Sequence, residues 1–380
     1  MEKDTKVLHG YEMKDKMTGA SSIPKYQVST FHQEKILANQ EFVYSRFGNP
    51  TISSVEKAVA SLEDGRYGIA FSSGVAAISS VLLLLSSGDH IIMCNDIYGG
   101  TYAIVKDILE KFSIEVSFVD EEDSTAWEKE IRKNTKMIYI ETPSNPLLKI
   151  TDIKKVSEIA KQNNLISICD NTFMTPYFQN PLNLGIDVVI HSATKFLNGH
   201  SDVVAGLVVT NNQQLQTRIK SQQINLGGIL SVEDGWLLMR GLKTLAIRME
   251  KSEENAKKIA EYLITHPKIS RVYHPSLNSH VGREIQLNQA SGFGSVLSFE
   301  LKNQEQVLQL FSAINYPLVA VSLGGVESIL SYPWSMSHGG MPSSEKMSRG
   351  ISKGLIRFSV GIENVQDLIQ DLDQALKTIQ

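Results

Sequence analysis

Seven short apolar runs recur between Gly65 and Thr210: YGIAF, HIIMC, IEVSFV, KMIYI, LISIC, DVVI and AGLVVT. Runs this rich in apolar residues read as strands buried on both faces. Stretches with helical spacing separate several of them, among them AAISSVLLLL, YAIVKDILEKF and DIKKVSEIAKQNN. The alternation predicts an α/β domain in which helices cover both faces of a doubly wound, mostly parallel sheet. From about Leu237 the pattern changes to long charged helices, beginning with MRGLKTLAIRMEKSEENAKKIAEYLITH, then a strand GSVLSFEL and a closing amphipathic helix VQDLIQDLDQALKTI. A smaller C-terminal α/β domain over 241–380 follows, with the large domain at 61–240. Residues 1–60 lack the alternation and form an irregular arm of the kind that packs on a neighbouring subunit or on the other domain.

At 380 residues, 42% hydrophobic and 21% charged, the chain has the composition of a globular protein of two domains. Its net charge of -4 and the lack of a basic stripe give no reason to expect nucleic acid. The two cysteines, Cys94 and Cys169, each end an apolar run and read as buried thiols, with no disulfide framework and no metal pattern. The opening MEKDTKVLHG is charged where a leader needs an apolar stretch, and the longest apolar run, ending at Leu85, is far too short to span a membrane. A cytoplasmic location is expected. The sequence holds no internal repeat and no low-complexity tract.

In open α/β sheets ligands sit at the carboxyl ends of the strands. After IAF comes SSGV, leading into a helix whose first N–H groups can hold a phosphate at Gly74 and Val75. After HIIMC comes NDIYGGT, in which two glycines leave the Tyr98 ring free to present its face. After KMIYI comes ETPSNP, with Glu141 and Asn145 near one edge, where both are expected at the substrate. LISIC ends on Asp170, and DVVI is followed by HSATK, which brings Ser192, Thr194 and Lys195 together. Alone, Lys195 reads as a surface amine, and Asp170 has a competing but less favoured reading as a helix cap.

Together these residues suit pyridoxal 5'-phosphate: an amine for the imine, an acid for the ring nitrogen, donors for the phosphate and an aromatic face. Desolvation favours the neutral amine of Lys195, the form that attacks a carbonyl. The competing chemistries lack their signatures. No strand leads into GxGxxG, there is no P-loop, and no GxSxG stands at a strand-to-helix turn.

The chain resembles the Cys/Met-metabolism family of pyridoxal-phosphate enzymes over nearly its full length. The resemblance runs from TKVLHG through YSRFGNPT, SSGVAAI, YGGTY, ETPSNPLLKITDI, DNTF, HSATKFLNGHSDVVAGLVV, RGLKTLAIRM, SLGGVESILSYP and LIRFSVGIE. It implies fold type I, the aspartate aminotransferase architecture with a seven-stranded large-domain sheet, and a homotetramer built from two tight dimers. It implies Lys195 as the Schiff-base lysine and general acid/base, Tyr98 stacked on the cofactor ring and Asp170 at its nitrogen. Tyr44 and Arg46 match residues that reach the phosphate of the adjacent subunit. Arg357 matches the residue that grips the substrate α-carboxylate, with Ser322 and Asn145 near it. His191, His200 and His338 are given no role. Val75 stands where many members have methionine, a change without consequence for a backbone contact.

The substrates implied are sulfur amino acids, and the reaction is an elimination begun by removal of the Cα proton. Val321, before Ser322, stands where cystathionine γ-synthases and many γ-lyases carry an acid for the distal amino group of cystathionine. The stretch PLVAVSLGGVESILSYP looks closest to cystathionine β-lyases of Gram-positive type, so β-elimination is expected, with cystathionine γ-lyase or methionine γ-lyase activity as the alternatives. A binding protein that keeps the fold without catalysis is the reading from another class. Trp334 stands where a small residue is expected and is assigned to the substrate channel.

Overall fold

A computed structural model of the chain describes residues 1–12, 14–36 and 40–379. Residues 37–39, part of the expected arm, lie outside the described residues. The strands are β1 (Tyr67–Phe71), β2 (His90–Cys94), β3 (Glu115–Val119), β4 (Thr135–Glu141), β5 (Ile166–Asp170), β6 (Val188–Ser192), β7 (Gly206–Thr210), β8 (Arg271–Tyr273), β9 (Val296–Glu300), β10 (Leu318–Val319), β11 (Ile329–Ser331) and β12 (Leu355–Ser359). The helices are α1 (Lys3–His9), α2 (Pro50–Leu62), α3 (Gly74–Leu82), α4 (Gly99–Ile104), α5 (Ala126–Lys129), α6 (Ile153–Gln162) and α7 (Thr175–Phe178), then α8 (Gln213–Leu226), α9 (Val232–Leu242), α10 (Leu245–Thr265), α11 (Arg283–Gln289), α12 (Gln304–Ala313), α13 (Ser343–Ser348) and α14 (Val365–Thr378).

All seven apolar runs became strands of one sheet, in the order β1-β7-β6-β5-β4-β2-β3. Every neighbouring pair is parallel except those of β7, which runs antiparallel to both β1 and β6. Gly206 at the start of β7 pairs with Phe71 on one side and Ser192 on the other, so the ends of β1 and β6 lie two strands apart on one edge. β3 sits on the far edge of the sheet, which keeps its end out of that cluster. The second sheet, β10-β11-β12-β9-β8, belongs to the smaller domain.

Each domain has its own core. One contains the large sheet, including Ile92, Ile138, Val189 and Val208; the other contains Leu297, Phe299, Phe358 and Leu372. α10 joins them: Leu245 and Met249 pack in the first core, Ala256, Ile259 and Leu263 in the second. α14 buries Val365, Leu368, Leu372, Ala375 and Leu376, the spacing of one helical face.

Two details differ from expectation. The irregular arm ends near residue 49 rather than 60, because Pro50–Leu62 is a helix whose Ile52, Val55 and Val59 pack in the large core against β1 and α9. YAIVKDILEKF begins in α4 but continues as a π turn at Val105–Leu109 and a 3-10 turn at Glu110–Phe112, ending where Ser113 adopts a left-handed conformation.

Asn49 ties the arm to the large domain. Its buried side chain accepts from the N–H of Thr51, capping α2, and donates to the carbonyl of Tyr26 and to Ser45 Oγ. Asn49→Ala removes the cap and leaves the Tyr26 carbonyl without that donor, a loss of about 1–3 kcal/mol. We expect a lower unfolding temperature and faster proteolysis between residues 10 and 49; unchanged values on both measures would contradict this anchoring.

Candidate active site

The carboxyl edge of the large sheet gathers the residues the sequence singled out. Ser73 caps α3 by accepting from the N–H of Ala76, which leaves the N–H groups of Gly74 and Val75 without intrahelical acceptors. A Cβ on Gly74 would stand 2.8 Å from that of Ser192, and one on Gly206 2.1 Å from the carbonyl oxygen of Ser73. Only glycines let the α3 turn settle on the ends of β6 and β7. The result is a cradle of backbone donors beside the Ser192 hydroxyl, shaped for an anion. The Thr194 hydroxyl is turned to the backbone of Ala205, accepting from its N–H at 3.0 Å and donating to its carbonyl at 3.3 Å.

Asp170 is buried at the end of β5. Oδ1 accepts from the N–H and hydroxyl of Thr172, and Oδ2 from the Tyr139 hydroxyl at 3.3 Å. Burial raises its pKa, and among the described residues no lysine or arginine forms an ion pair with it. A protonated ring nitrogen would supply the missing cation.

Glu141 pairs with Asp170 across β4 and β5, and burial followed by that neighbouring charge holds its pKa well above the usual carboxylate range. It was expected at the substrate. Instead its Oε2 accepts the N–H of Tyr98 at 3.0 Å, at the start of α4, while the side chain is only 5% exposed. The Tyr98 ring is 39% exposed, and its edge lies 2.4 Å from where a Cβ of Gly100 would stand. Glu141 therefore fixes the loop that presents the ring.

Lys195 follows β6 in a tight turn. Its Nζ donates to Ser322 Oγ at 2.7 Å, and burial, followed by the nearby Arg357 charge, brings its pKa down to about 8. Ser322 comes from the smaller domain and has φ 84°, in the left-handed region that disfavours non-glycine residues.

Arg357 on β12 is 3% exposed. Its Nη1 donates to Asn145 Oδ1 at 3.0 Å, and its Nη2 donates to Ser331 Oγ at 3.0 Å and to the carbonyl of Ser322. Its Nε has no partner, and among the described residues no carboxylate forms an ion pair with it. Burial lowers its pKa to about 10, so it remains a cation at neutral pH. Ser331, Thr172 and Tyr139 are site residues that sequence reasoning missed; each acts by orienting a residue it had found.

Tyr44 and Arg46 lie elsewhere in the same chain, lining a hollow with Val28, Ile229 and Leu230. Arg46 donates to the carbonyl of Ile224 at 3.2 Å and forms no ion pair among the described residues. The structure corrects the assignment of Trp334. Its side chain lines an open groove of about 1140 Å³ with Glu300, Asn303, Met347 and Lys353, a groove that includes none of Lys195, Tyr98, Asp170 or Arg357. The loop that follows approaches the site through the Ser337 carbonyl beside Gly99 and through the buried His338, whose ring lies near Ile97 and Arg357.

The family model described as Cys/Met metabolism PLP-dependent enzyme matches residues 4–377. The chain belongs to this family. Its relatives include a Bacillus subtilis cystathionine beta-lyase MetC, 49% identical with 99% of this chain and 96% of the relative covered. A cystathionine gamma-lyase of the same organism is 48% identical, with all of both chains covered. The solved structure of a cystathionine gamma-lyase from Lactobacillus plantarum, complexed with L-serine, aligns over all of both chains with a TM-score of 0.97 and 44% identity. The family is dependent on pyridoxal phosphate, and the anion cradle, the unpaired buried Asp170, the Tyr98 ring and the Lys195 amine fit that cofactor.

In the cofactor-free protein Lys195 should lose its proton near pH 8, so its acylation by an amine reagent, followed by mass spectrometry, should accelerate as pH rises through 8. A midpoint near the ordinary lysine value of 10.5 would contradict the geometry.

Proposed function

We propose that this enzyme of the Cys/Met-metabolism family is a carbon–sulfur lyase that acts on Cβ of L-cystathionine and yields homocysteine, pyruvate and ammonia. The observation that carries the reading is Arg357, a buried guanidinium that forms no ion pair with a carboxylate among the described residues, set beside a Lys195 amine whose pKa is brought down to about 8. A free amino acid brings the anion that Arg357 lacks, and a planar guanidinium grips a carboxylate with two parallel hydrogen bonds.

When bound, pyridoxal phosphate supplies an electron sink for the pair left at Cα. Its phosphate is assigned to the N–H groups of Gly74 and Val75 with Ser192, Thr194 joining once its hydroxyl turns from Ala205. Asp170 would hold the ring nitrogen in its protonated form, and Tyr98 would cover the ring. Lys195 Nζ takes the Cα proton, Ser322 Oγ holds the amine in place, and Asn145 orients Arg357. The C–S bond at Cβ then breaks, its electron pair leaves on sulfur, and the sulfur takes a proton to give homocysteine; the three-carbon aminoacrylate that remains takes up water and yields pyruvate and ammonia. Glu141 serves by holding the Tyr98 loop rather than by touching substrate.

Relatives named for β- and for γ-elimination are equally similar, so overall identity does not decide the bond cleaved. The preference for Cβ rests on Val321, an uncharged side chain beside Ser322, where an acid would hold the distal ammonium of cystathionine. The arm, whose Tyr44 and Arg46 line a hollow that includes none of Lys195, Tyr98 or Asp170, supports sites completed by an adjacent subunit in a homotetramer. The buried thiols Cys94 and Cys169 are consistent with a cytoplasmic location.

Incubation with L-cystathionine tests the bond choice: pyruvate with homocysteine supports it, and 2-oxobutyrate with cysteine refutes it. Arg357→Gln should lower kcat/KM by at least ~100-fold, since a desolvated charge pair is worth several kcal/mol. A variant that keeps its cofactor and loses less than ~3-fold would remove Arg357 from substrate binding.

A further inference from the structure

Lys195 is carried by a turn whose backbone is only partly satisfied from within. The N–H of Lys195 bonds to the Ser192 carbonyl, that of Asn198 to Ala193, and that of Gly199 to Lys195 itself. The carbonyls of Phe196 and Leu197 point away from these bonds, into the protein. Both accept from one side chain, Arg248 of α10, at 2.6 Å through Nη1 and 3.4 Å through Nη2.

The guanidinium is used almost completely. Nη2 also donates to the carbonyl of Gly241 at 2.8 Å, and Nε donates to Thr244 Oγ1 at 2.9 Å. Arg248 is 5% exposed, and among the described residues it forms no ion pair. Burial lowers its pKa to about 10, which leaves it charged at neutral pH. A buried cation with neutral partners alone is costly, and a well-packed apolar side chain would cost less.

The packing around it is unusually close. Gly199 has φ 76°, and a Cβ there would lie 2.1 Å from Arg248 Nη1. On the opposite side of the turn, a Cβ on Gly324 would lie 2.6 Å from the N of Phe196. The peptide that follows Lys195 is thus held between the Arg248 guanidinium and the loop that bears Ser322. Arg248 sits where α10 passes from the first core toward the second, so one rigid helix sets both the Lys195 turn and the smaller domain.

We propose that Arg248 is a positioning residue for Lys195, acting through the carbonyls of Phe196 and Leu197. It touches neither substrate nor cofactor. Five N–H groups in one plane span carbonyls from the Lys195 turn and the end of α9, and a lysine in its place offers one point of attachment. The amine of Lys195 must swing between its acceptor at Ser322 and the Cα proton, and an error of about 1 Å in its base costs ~100-fold in rate.

The proposal rests on Lys195 being the reactive amine, which a separate comparison tests. Wild-type holoenzyme should show the visible band of lysine-bound cofactor and Lys195→Ala should not; failure there removes the assignment of Lys195. Arg248→Lys is then compared with wild type at equal cofactor occupancy, with Arg240→Lys, an exposed arginine on α9, as control. We expect kcat for cystathionine to fall ~10- to 100-fold with KM within ~3-fold, because Arg357 and the carboxylate site are untouched. The pH midpoint of the visible band should shift by about half a unit or more, and borohydride reduction of the lysine-bound cofactor should change in rate. Should Arg248→Lys fail to fold, Arg248→Gln, which keeps two N–H donors, is read in the same way. A folded variant with wild-type kcat, pH midpoint and reduction rate, or one with only a lower unfolding temperature, overturns the proposal.

Discussion

Two cations, Lys195 and Arg357, are buried near one another, and among the described residues neither forms an ion pair with a carboxylate; much of the surrounding architecture follows from that arrangement. Each charge makes the other less favourable, which is part of why the Lys195 pKa is brought down to about 8. Arg357 stays ionised and waits for an anion; Lys195 yields its proton more readily. In the proposed reaction an amino acid would satisfy both demands, since its carboxylate would neutralise the guanidinium and its Cα would present a proton to the amine. On that reading the substrate itself relieves the repulsion between the two groups.

The two cations come from different domains, Lys195 from the end of β6 and Arg357 from β12. Their relative position depends on the packing between cores. Ser322 is the joint: its hydroxyl accepts from Lys195 and its carbonyl accepts from Arg357. Holding a non-glycine residue at φ 84° costs on the order of 1–3 kcal/mol, and these contacts maintain it. Asn145 makes the matching link from the other side, carried on the loop after β4 and bonded to Arg357. A relative shift of the domains would break these contacts together, so orientation of the domains and orientation of the reactive groups are one property.

Much of this was legible in the sequence because burial and chemistry left local marks. Each of the seven strands is marked by an apolar run; Asp170 directly follows one, and Tyr98 and Lys195 each lie a few residues beyond another. What escaped detection depends on register and long-range packing. Ser331 meets Arg357 only because β11 and β12 pair antiparallel with those residues opposite one another, and nothing within either strand specifies that offset. Glu141 looked available to substrate because strand ends face ligands, yet the Tyr98 loop folds over it. Trp334 is close in sequence to the site-forming SLGGVESILSYP block, but its ring turns into a groove of the smaller domain. α2 was hidden because its first half, PTISSV, opens with proline and β-branched or small polar residues; its cap at Asn49 and its packing on β1 decide the outcome.

The buried set explains why β- and γ-elimination are hard to separate within this family. In the proposed mechanism both would begin with the same proton at Cα, the same carboxylate on Arg357 and the same amine on Lys195, so the residues under the strongest physical constraint carry no information about which bond breaks. That information has to reside where side chains can change without disturbing the charges. Val321 meets this condition: it is 62% exposed, adjacent to a residue whose backbone is fixed, and uninvolved in the contacts of Ser322. An acidic side chain there would add a charge for a distal ammonium at little cost to the fold, and the valine leaves the far end of cystathionine unheld from this position. Specificity of this kind is separable from catalysis because one depends on an exposed side chain and the other on buried cations that cannot be altered singly.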